Sequence, residues 1–418
     1  MLNILESLPA AITAIFTILI VSYYALFFLK IKKPPVKKIF RSITVIIPAH
    51  NEAECIEGCI RSVLAASFEG KKQVIVVDDG SKDDTYKIAS KLKGVEIIRT
   101  SHSGKSASLN AAIKKAKGEL IAVVDADSTI HKDSLAEMAK DLGRGNTAAA
   151  CCAVKVKNRD KLAGMWSHIE QLYNSLMRSI FSKIGANITT PGPLSMYRKT
   201  ALIEIGGFST EGLSEDIDIG IRMIRAGHKV TFTEKAVAET NIPYDAKGFF
   251  RQRARFARGM LNILRRHMRL NRTMIDLYTL PIFLFSYIQA VIMGSFTLYQ
   301  IASGYLTYFV SKGVFFSPAV LKFFFEWLSI VGFAKWSYSV LIGATTLDFI
   351  TAVGIVSTLL SYPLFFIAII KFDRKFDLLH LIPLAFMFPF WLMIMAVYII
   401  CLPGYFERKQ RNIWKKNE

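Results

Sequence analysis

Four short stretches of the 418-residue sequence carry residue types at spacings that can do chemistry. "VVDADS" ends an apolar run in Asp125 and Asp127. Two carboxylates one residue apart lean the same way from an extended chain, a geometry that holds a hard divalent cation together with phosphate oxygens. "VVDDGSKDDT" ends a second apolar run in Asp78 and Asp79, and "LSEDIDIG", residues 213–220, supplies Glu215, Asp216 and Asp218. A carboxylate outside the cation's ligand set is the group needed to take a proton from an attacking hydroxyl. Each cluster also has a plainer reading. Strand-end aspartates cap backbone amides, and acidic residues complement the dipole of a helix that Ser214 could cap.

The fourth stretch is basic. "RQRARFARG", residues 251–259, sets four arginines beside a phenylalanine and a glutamine, some twenty residues before the chain turns strongly apolar. Such fixed charge suits a diphosphate, acidic lipid headgroups or nucleic acid. "SGKSAS", residues 103–108, resembles a phosphate-binding loop, but Arg99 stands where that loop requires glycine. What remains is a helix N-terminus with Lys105, suited to a phosphate.

The elements that must position these residues follow from periodicity. "ITVIIP", "QVIVVDD", "VEIIR" and "ELIAVVDAD" are short apolar strands separated by helical stretches such as "NEAECIEGCIRSVLAAS" and "GKSASLNAAIKKAKG". This alternation over residues 42–150 predicts an α/β fold with a parallel, doubly wound sheet, whose ligand lies beyond the carboxyl ends of the strands. His50, Asn51, Asp78, Asp79, Asp125 and Asp127 occupy those ends. Residues 161–185 and 246–270 read as amphipathic helices with one basic face, suited to a membrane interface.

Hydrophobic residues make up 52% of the chain and aromatic residues 12%, too many for a wholly soluble protein. Apolar runs near 9–29, which carries no charge, and near 279–303, 347–370 and 378–402 have the length of membrane spans. A fifth span near 320–345, interrupted by Lys322, Glu326 and Lys335, is expected because it returns the basic tail to the side that the charge rule prefers. Lys30, Lys32, Lys33, Lys37, Lys38 and Arg41 follow the first run and place what comes next in the cytoplasm. The expected organisation is a first span and basic flank (1–41), a cytosolic domain (42–275), membrane helices (276–405) and a basic tail (406–418). The net charge of +20 does not require nucleic acid, since many of the charges flank apolar segments. Five cysteines, an odd number in a reducing compartment, read as free thiols.

In order, "VIIPAHNE", "VVDDGS", "GKSASLN", "VVDADS", "GPLSMYR", "SEDIDIG" and "QRARF" resemble the motifs of the membrane-embedded family 2 glycosyltransferases, the group of hyaluronan, chitin-oligosaccharide, poly-N-acetylglucosamine and cellulose synthases, over residues 43–265. The resemblance implies a GT-A type nucleotide-sugar-binding domain in the plasma membrane that inverts the anomeric carbon in one displacement. It implies that Ala49, Asn51, Glu52 and Asp79 contact the nucleoside and Lys105 the uridine or diphosphate. Asp125 and Asp127 resemble the DxD motif, with Asp127 and Asp125 at Mg²⁺ or Mn²⁺. Asp216 resembles the general base, supported by Glu215. Gln252, Arg253, Arg255 and Phe256 resemble the QxxRW motif, with Phe256 in place of tryptophan. Gly192, Pro193 and Leu194 resemble the acceptor-side segment, and "RNIWKK" around Trp414 loosely resembles a gating segment.

The function implied is processive polymerisation from a nucleotide sugar, such as UDP-GlcNAc, onto a carbohydrate acceptor, with translocation through the membrane helices. The alternatives are a single transfer to a lipid acceptor, and a transporter or scaffold with a degenerate nucleotide-binding domain. Membrane lipid is an expected partner and nucleic acid is not; oligomeric state is not legible.

Overall fold

In the computed structural model, which describes residues 4–243, 245–269, 273–373, 376, 377 and 380–406, the alternating segments become eight strands of one sheet. They are β1 (Ser42–Ala49), β2 (Lys71–Asp78), β3 (Glu96–Arg99), β4 (Leu120–Val123), β5 (Ser128–Ile130), β6 (Thr147–Val156), β7 (Ser195–Arg198) and β8 (Lys229–Thr240). The order across the sheet is β3-β2-β1-β4-β7-β6-β8-β5. The four apolar runs of the sequence form β1 to β4, and these pair in parallel. Residues 43–49 of β1 and 74–78 of β2 are buried throughout, as expected for strands covered on both faces.

The parallel pairing expected of the four apolar runs holds for β1 to β4, and the sheet changes character beyond them. β7 is inserted antiparallel between β4 and β6, and β5 runs antiparallel to β8 at the edge, so the sheet is mixed. Because β7 runs against β4, Ser195 pairs with Val123, and the chain entering β7 arrives at the same edge from which β4 departs.

The helices are α1 (Ile4–Phe28), α2 (Ile56–Ala65), α3 (Thr85–Ser90), α4 (Lys105–Lys115), α5 (Ser134–Leu142), α6 (Leu162–Lys183), α7 (Lys199–Glu204), α8 (Glu215–Arg225), α9 (Ala246–His267), α10 (Leu280–Tyr308), α11 (Pro318–Leu328), α12 (Ile330–Leu341), α13 (Phe349–Phe372), α14 (Leu381–Ala385) and α15 (Met387–Cys401). α2 buries Ile56, Cys59, Ile60 and Val63, one helical face, against β1, β2 and β4. α4, α7 and α8 cover the opposite face. α6 is different: Ile169, Leu172, Leu176 and Ile180 share one core with Cys151 and Ala153 of β6, Ile20 and Tyr23 of α1, and Leu364, Phe365 and Ala368 of α13. Sheet and apolar helices are thus packed through α6.

Among the described residues, four segments are long and apolar enough to cross a membrane: Ser7–Phe28, Ile275–Lys312, Phe349–Phe372 and Met387–Gly404. The fifth expected span is not one of them. Residues 318–341 form two short helices broken at Ser329, whose backbone is extended. Pro318 opens α11, the Ser317 side chain caps it, and Lys335 reaches back from α12 to Glu326 at 2.7 Å. Eleven or twelve helical residues reach about 17 Å, well short of a hydrocarbon core of about 30 Å. The tail carrying Trp414 lies outside the described residues.

Candidate active site

The chain runs from β1 outward through β2 to β3 and then returns to the other side of β1 for β4. That reversal opens a crevice at the carboxyl ends of β1 and β4, where α/β sheets bind ligands. Ala49 and Asn51 leave β1 there, and Asp125 leaves β4. Asn51 has φ of +54°, a left-handed backbone that asparagine tolerates, and its side-chain oxygen accepts the Lys82 N–H at 2.9 Å. Glu52 is buried, and its backbone N–H donates to Thr85.

Asp79 is fully buried, and its carboxylate organises the loop that ends in Lys105. It accepts the Thr100 hydroxyl (2.7 Å) and the backbone N–H groups of Ser103 and Gly104 (both 2.8 Å). Burial works to raise its pKa, but these bonds prevail and hold it below the usual carboxylate range. Asp78 pairs with Arg99 across the strands at 3.0 Å.

Lys105 opens α4 and lies 2.7 Å from Asp125 and 3.0 Å from Glu215, tying the end of β4 to the start of α8. Burial would depress the lysine, but Asp125 and Glu215 outweigh it and keep the ammonium charged well above its ordinary range. Glu215 is buried, yet Lys105 and then Arg255 hold its pKa below the usual range. Asp125 is pushed up by burial and by the charge of Asp127, against the pull of Lys105. Asp127 accepts hydroxyls from Ser128 (3.1 Å) and Thr240 (3.3 Å). Cys59 lies beneath both aspartates: its thiol sits 3.4 Å from the Asp125 carbonyl, and burial, then Asp127 and Asp125, push its pKa up.

Asp216 follows Glu215 in the first turn of α8. Burial, and then the Glu215 charge, raise it from 3.8 to about 6, with Lys105 and Arg255 opposing. Its backbone carbonyl accepts the Thr190 hydroxyl at 2.7 Å, and Tyr197 of β7 donates to Thr190 at 2.9 Å. The segment before β7 therefore holds α8 in register with the crevice. Gly192 completes the wall. Its carbonyl accepts the Asp125 N–H at 3.1 Å, and a Cβ there would collide with the Asp125 carboxylate and crowd the Lys105 ammonium. Pro193 is half-buried beside it and Leu194 is fully buried.

The arginines of α9 divide by helix face. Residues 253 and 255 are two positions apart, about 200° around the helix, and point to opposite sides. Arg253 is buried, pairs with Glu170 of α6 at 2.6 Å, donates to Ser167 at 3.0 Å and lies against the rings of Phe249 and Phe390. It does not join the acidic cluster. Arg255, exposed on the other face, lies near enough for its charge to lower the pKa of Glu215 and to oppose the rise of Asp216. Arg258 is exposed, and its guanidinium donates to the Ala254 carbonyl. Phe256 is 42% exposed and Gln252 half-buried. α9 approaches α8 closely because residue 259 is glycine; a Cβ would strike Ser214.

Lys105, Asp125, Asp127, Glu215, Asp216, Gly192 and Arg255 converge on the crevice, while Asp79 and Arg253 are turned to structural partners. The sequence reading did not single out Thr190, Tyr197 or Glu170. Glu170 had a signal, being the only acidic residue of the helix at 162–183.

Residues 44–206 match the family model described as glycosyl transferase family 2. Those residues are therefore a family 2 glycosyltransferase domain, in a membrane protein with four candidate spans among the described residues. It is 28% identical over 244 residues to the poly-β-1,6-N-acetyl-D-glucosamine synthase of Staphylococcus aureus (strain COL), a match covering 56% of this chain and 58% of that protein. The match thus spans little more than half the length of that relative. The synthase of the same name from Staphylococcus epidermidis is 24% identical over 384 residues, 88% of this chain and 84% of the relative. A mannosyltransferase from Pyrobaculum calidifontis, solved with GDP-Man and Mn²⁺, has the same fold, with a TM-score of 0.63 at 18% identity over 97% of this chain and 100% of that one.

Proposed function

We propose that the protein is an inverting, processive glycosyltransferase that polymerises sugars from a nucleotide-sugar donor, UDP-GlcNAc by analogy with the synthases it resembles, and passes the polysaccharide through its membrane helices. The observation that carries this reading is the convergence of a charged lysine, two carboxylate pairs and one arginine at the switch point of the sheet.

The acceptor hydroxyl gives its proton to Asp216 as its oxygen attacks the anomeric carbon. The bond from that carbon to the diphosphate oxygen breaks on the opposite face, and the nucleoside diphosphate leaves. At a carboxyl pKa of about 6, Asp216 is largely ionised at neutral pH yet basic enough to accept a proton. Glu215 keeps Asp216 basic and holds Lys105. Arg255 and Lys105 supply positive charge where negative charge builds on the leaving oxygen. Phe256 offers an exposed ring to the acceptor.

Asp125 and Asp127 fit a divalent cation. Two carboxylates meet in one largely buried corner, and burial, with the Asp127 charge adding to it, raises Asp125 even with Lys105 alongside. Mg²⁺ or Mn²⁺ held there would bind the diphosphate and offset its charge. The basic flank at residues 30–41 supports a cytoplasmic catalytic domain in the plasma membrane.

The test is nucleoside diphosphate release and product sizing with purified protein in lipid. Long products that vanish in Asp216→Asn, with donor affinity retained, support the reading. A single sugar on a lipid marks a single-transfer enzyme, and undiminished turnover in Asp216→Asn moves the base elsewhere.

A further inference from the structure

Asp373, the residue after α13, is the centre of a cluster that the reaction does not use. Its carboxylate lies 2.9 Å from Lys155 of β6, 3.3 Å from Arg159, 3.0 Å from His168 of α6 and 3.2 Å from His380. One carboxylate and two imidazoles within 4.8 Å suggest a cation site, but the hydrogen bonding opposes it. The Val156 N–H donates to His168 Nδ1 at 3.3 Å, and the Asp377 N–H lies 3.0 Å from His380 Nδ1. An imidazole that accepts at Nδ1 carries its proton on Nε2, so His168 turns an N–H toward Asp373 and leaves no lone pair there for a metal; His380 Nδ1 lies near both the N–H and the carbonyl (3.2 Å) of Asp377. Lys155 and Arg159 are the two fixed cations on the carboxylate. The cluster is an ionic hub that fastens the end of a membrane helix to α6 and β6.

α6 has a second ionic anchor. Glu170, two residues after His168, holds Arg253 of α9, with Ser167 beside it. The opposite face of α9 presents Arg255 to Glu215 and Asp216. A line of contacts therefore runs from α13 through Asp373 to α6 and through Glu170 to α9, and α9 in turn packs on the start of α8, where Gly259 meets Ser214 just before the acidic pair.

We infer that α6 is a strut that sets the position of Arg255 relative to Asp216, with Asp373 and Glu170 as its two ionic anchors, so that movement of the membrane helices is registered at the reacting groups. Asp373, Glu170 and Arg253 are positioning residues in this scheme. The inference rests on Asp216 being the base.

The sign of one measurement separates the strut from plain electrostatics. The charged and titratable groups around Asp216 are Glu215 on its own helix, Lys105 of α4, Arg255 of α9, Arg178 of α6 and Tyr197 of β7. Deleting a distant anion at residue 373 would by itself favour ionised Asp216 and move the acid limb of the pH–rate profile down. Loosening the strut withdraws the Arg255 cation and moves that limb up.

The experiment measures kcat/KM against pH for the full chain in lipid, as wild type, Asp373→Asn, Glu170→Gln and Asp373→Glu. The strut predicts an upward move of about 0.5 pH unit in the first two variants, an unchanged donor KM, and return to the wild-type limb in Asp373→Glu. Ser167→Ala removes a neutral partner of Arg253 without stranding a charge, and should move the limb up by less; it serves if the charge variants do not fold. A limb that stays in place or moves down in the variants overturns the strut. If the wild type shows no acid limb, or Asp216→Asn turns over fully, the base assignment fails instead, and both results come from proteins whose anchors are intact.

Discussion

Replacing Glu215 with glutamine should make the enzyme work at lower pH. Asp216 titrates near 6 rather than at 3.8, a difference of about 3 kcal/mol in favour of its protonated form. A base must be ionised to accept a proton, so turnover should be full above this pKa and fall as pH drops through it. Burial is the larger cause of the rise and the Glu215 charge the next; Lys105 and Arg255 oppose both. Glutamine keeps the shape and can still accept a bond from Lys105, but it removes the neighbouring negative charge. The acid limb is therefore expected to move down by roughly one pH unit, about 1.4 kcal/mol. The assay is kcat/KM for nucleoside diphosphate release in both proteins, from about pH 4.5 to about pH 8 in the same lipid. Maximal rate should also fall, because Lys105 loses one of its two anions. A limb that stays near 6, or climbs, would refute the electrostatic account of this pair.

Asp127→Asn removes a hard oxygen ligand and should abolish transfer together with its dependence on Mg²⁺ or Mn²⁺; turnover that persists without added metal contradicts the assignment. Arg255→Lys should lower turnover strongly, since a point charge cannot reproduce a planar two-pronged contact, whereas Arg258→Lys should be nearly silent; equal small losses would return the stretch to a lipid-facing role. Gly192→Ala should disrupt the Asp125 and Lys105 contact at a cost of about 1–3 kcal/mol, visible as weakened donor binding in a protein that still folds. Donor affinity equal to the wild type would show that the wall yields freely.

The acidic groups were legible because their chemistry is local: Asp125, Asp127, Glu215 and Asp216 announce themselves by type and by following apolar runs. The four parallel strands were legible for the same reason. β7 was not, because "SMYR" is four residues long, half polar, and takes its direction from a partner more than seventy residues away. Nor could the sequence separate Arg253 from Arg255. Both are arginines on one helix, and only the tertiary placement of Glu170 on one side and Glu215 on the other assigns them different work. The break at Ser329 was hidden in a run whose apolar content resembles a span, although Gly313 and Pro318 just before it mark a turn.

The core shared by β6, α6, α1 and α13 means that the seams near residues 41 and 275 are seams in sequence only. Lys183 of α6 reinforces this by reaching out to the Leu26, Phe27 and Leu29 carbonyls at the end of the first span. A fragment spanning 42–275 would expose Ile169, Leu172 and Leu176 to water and strand that lysine. Its insolubility would then come from a torn interior rather than from misfolding. For the same reason, the choice of detergent or lipid acts on the catalytic sheet itself, because the surface that the solvent mimics is one side of a wall whose other side is β6.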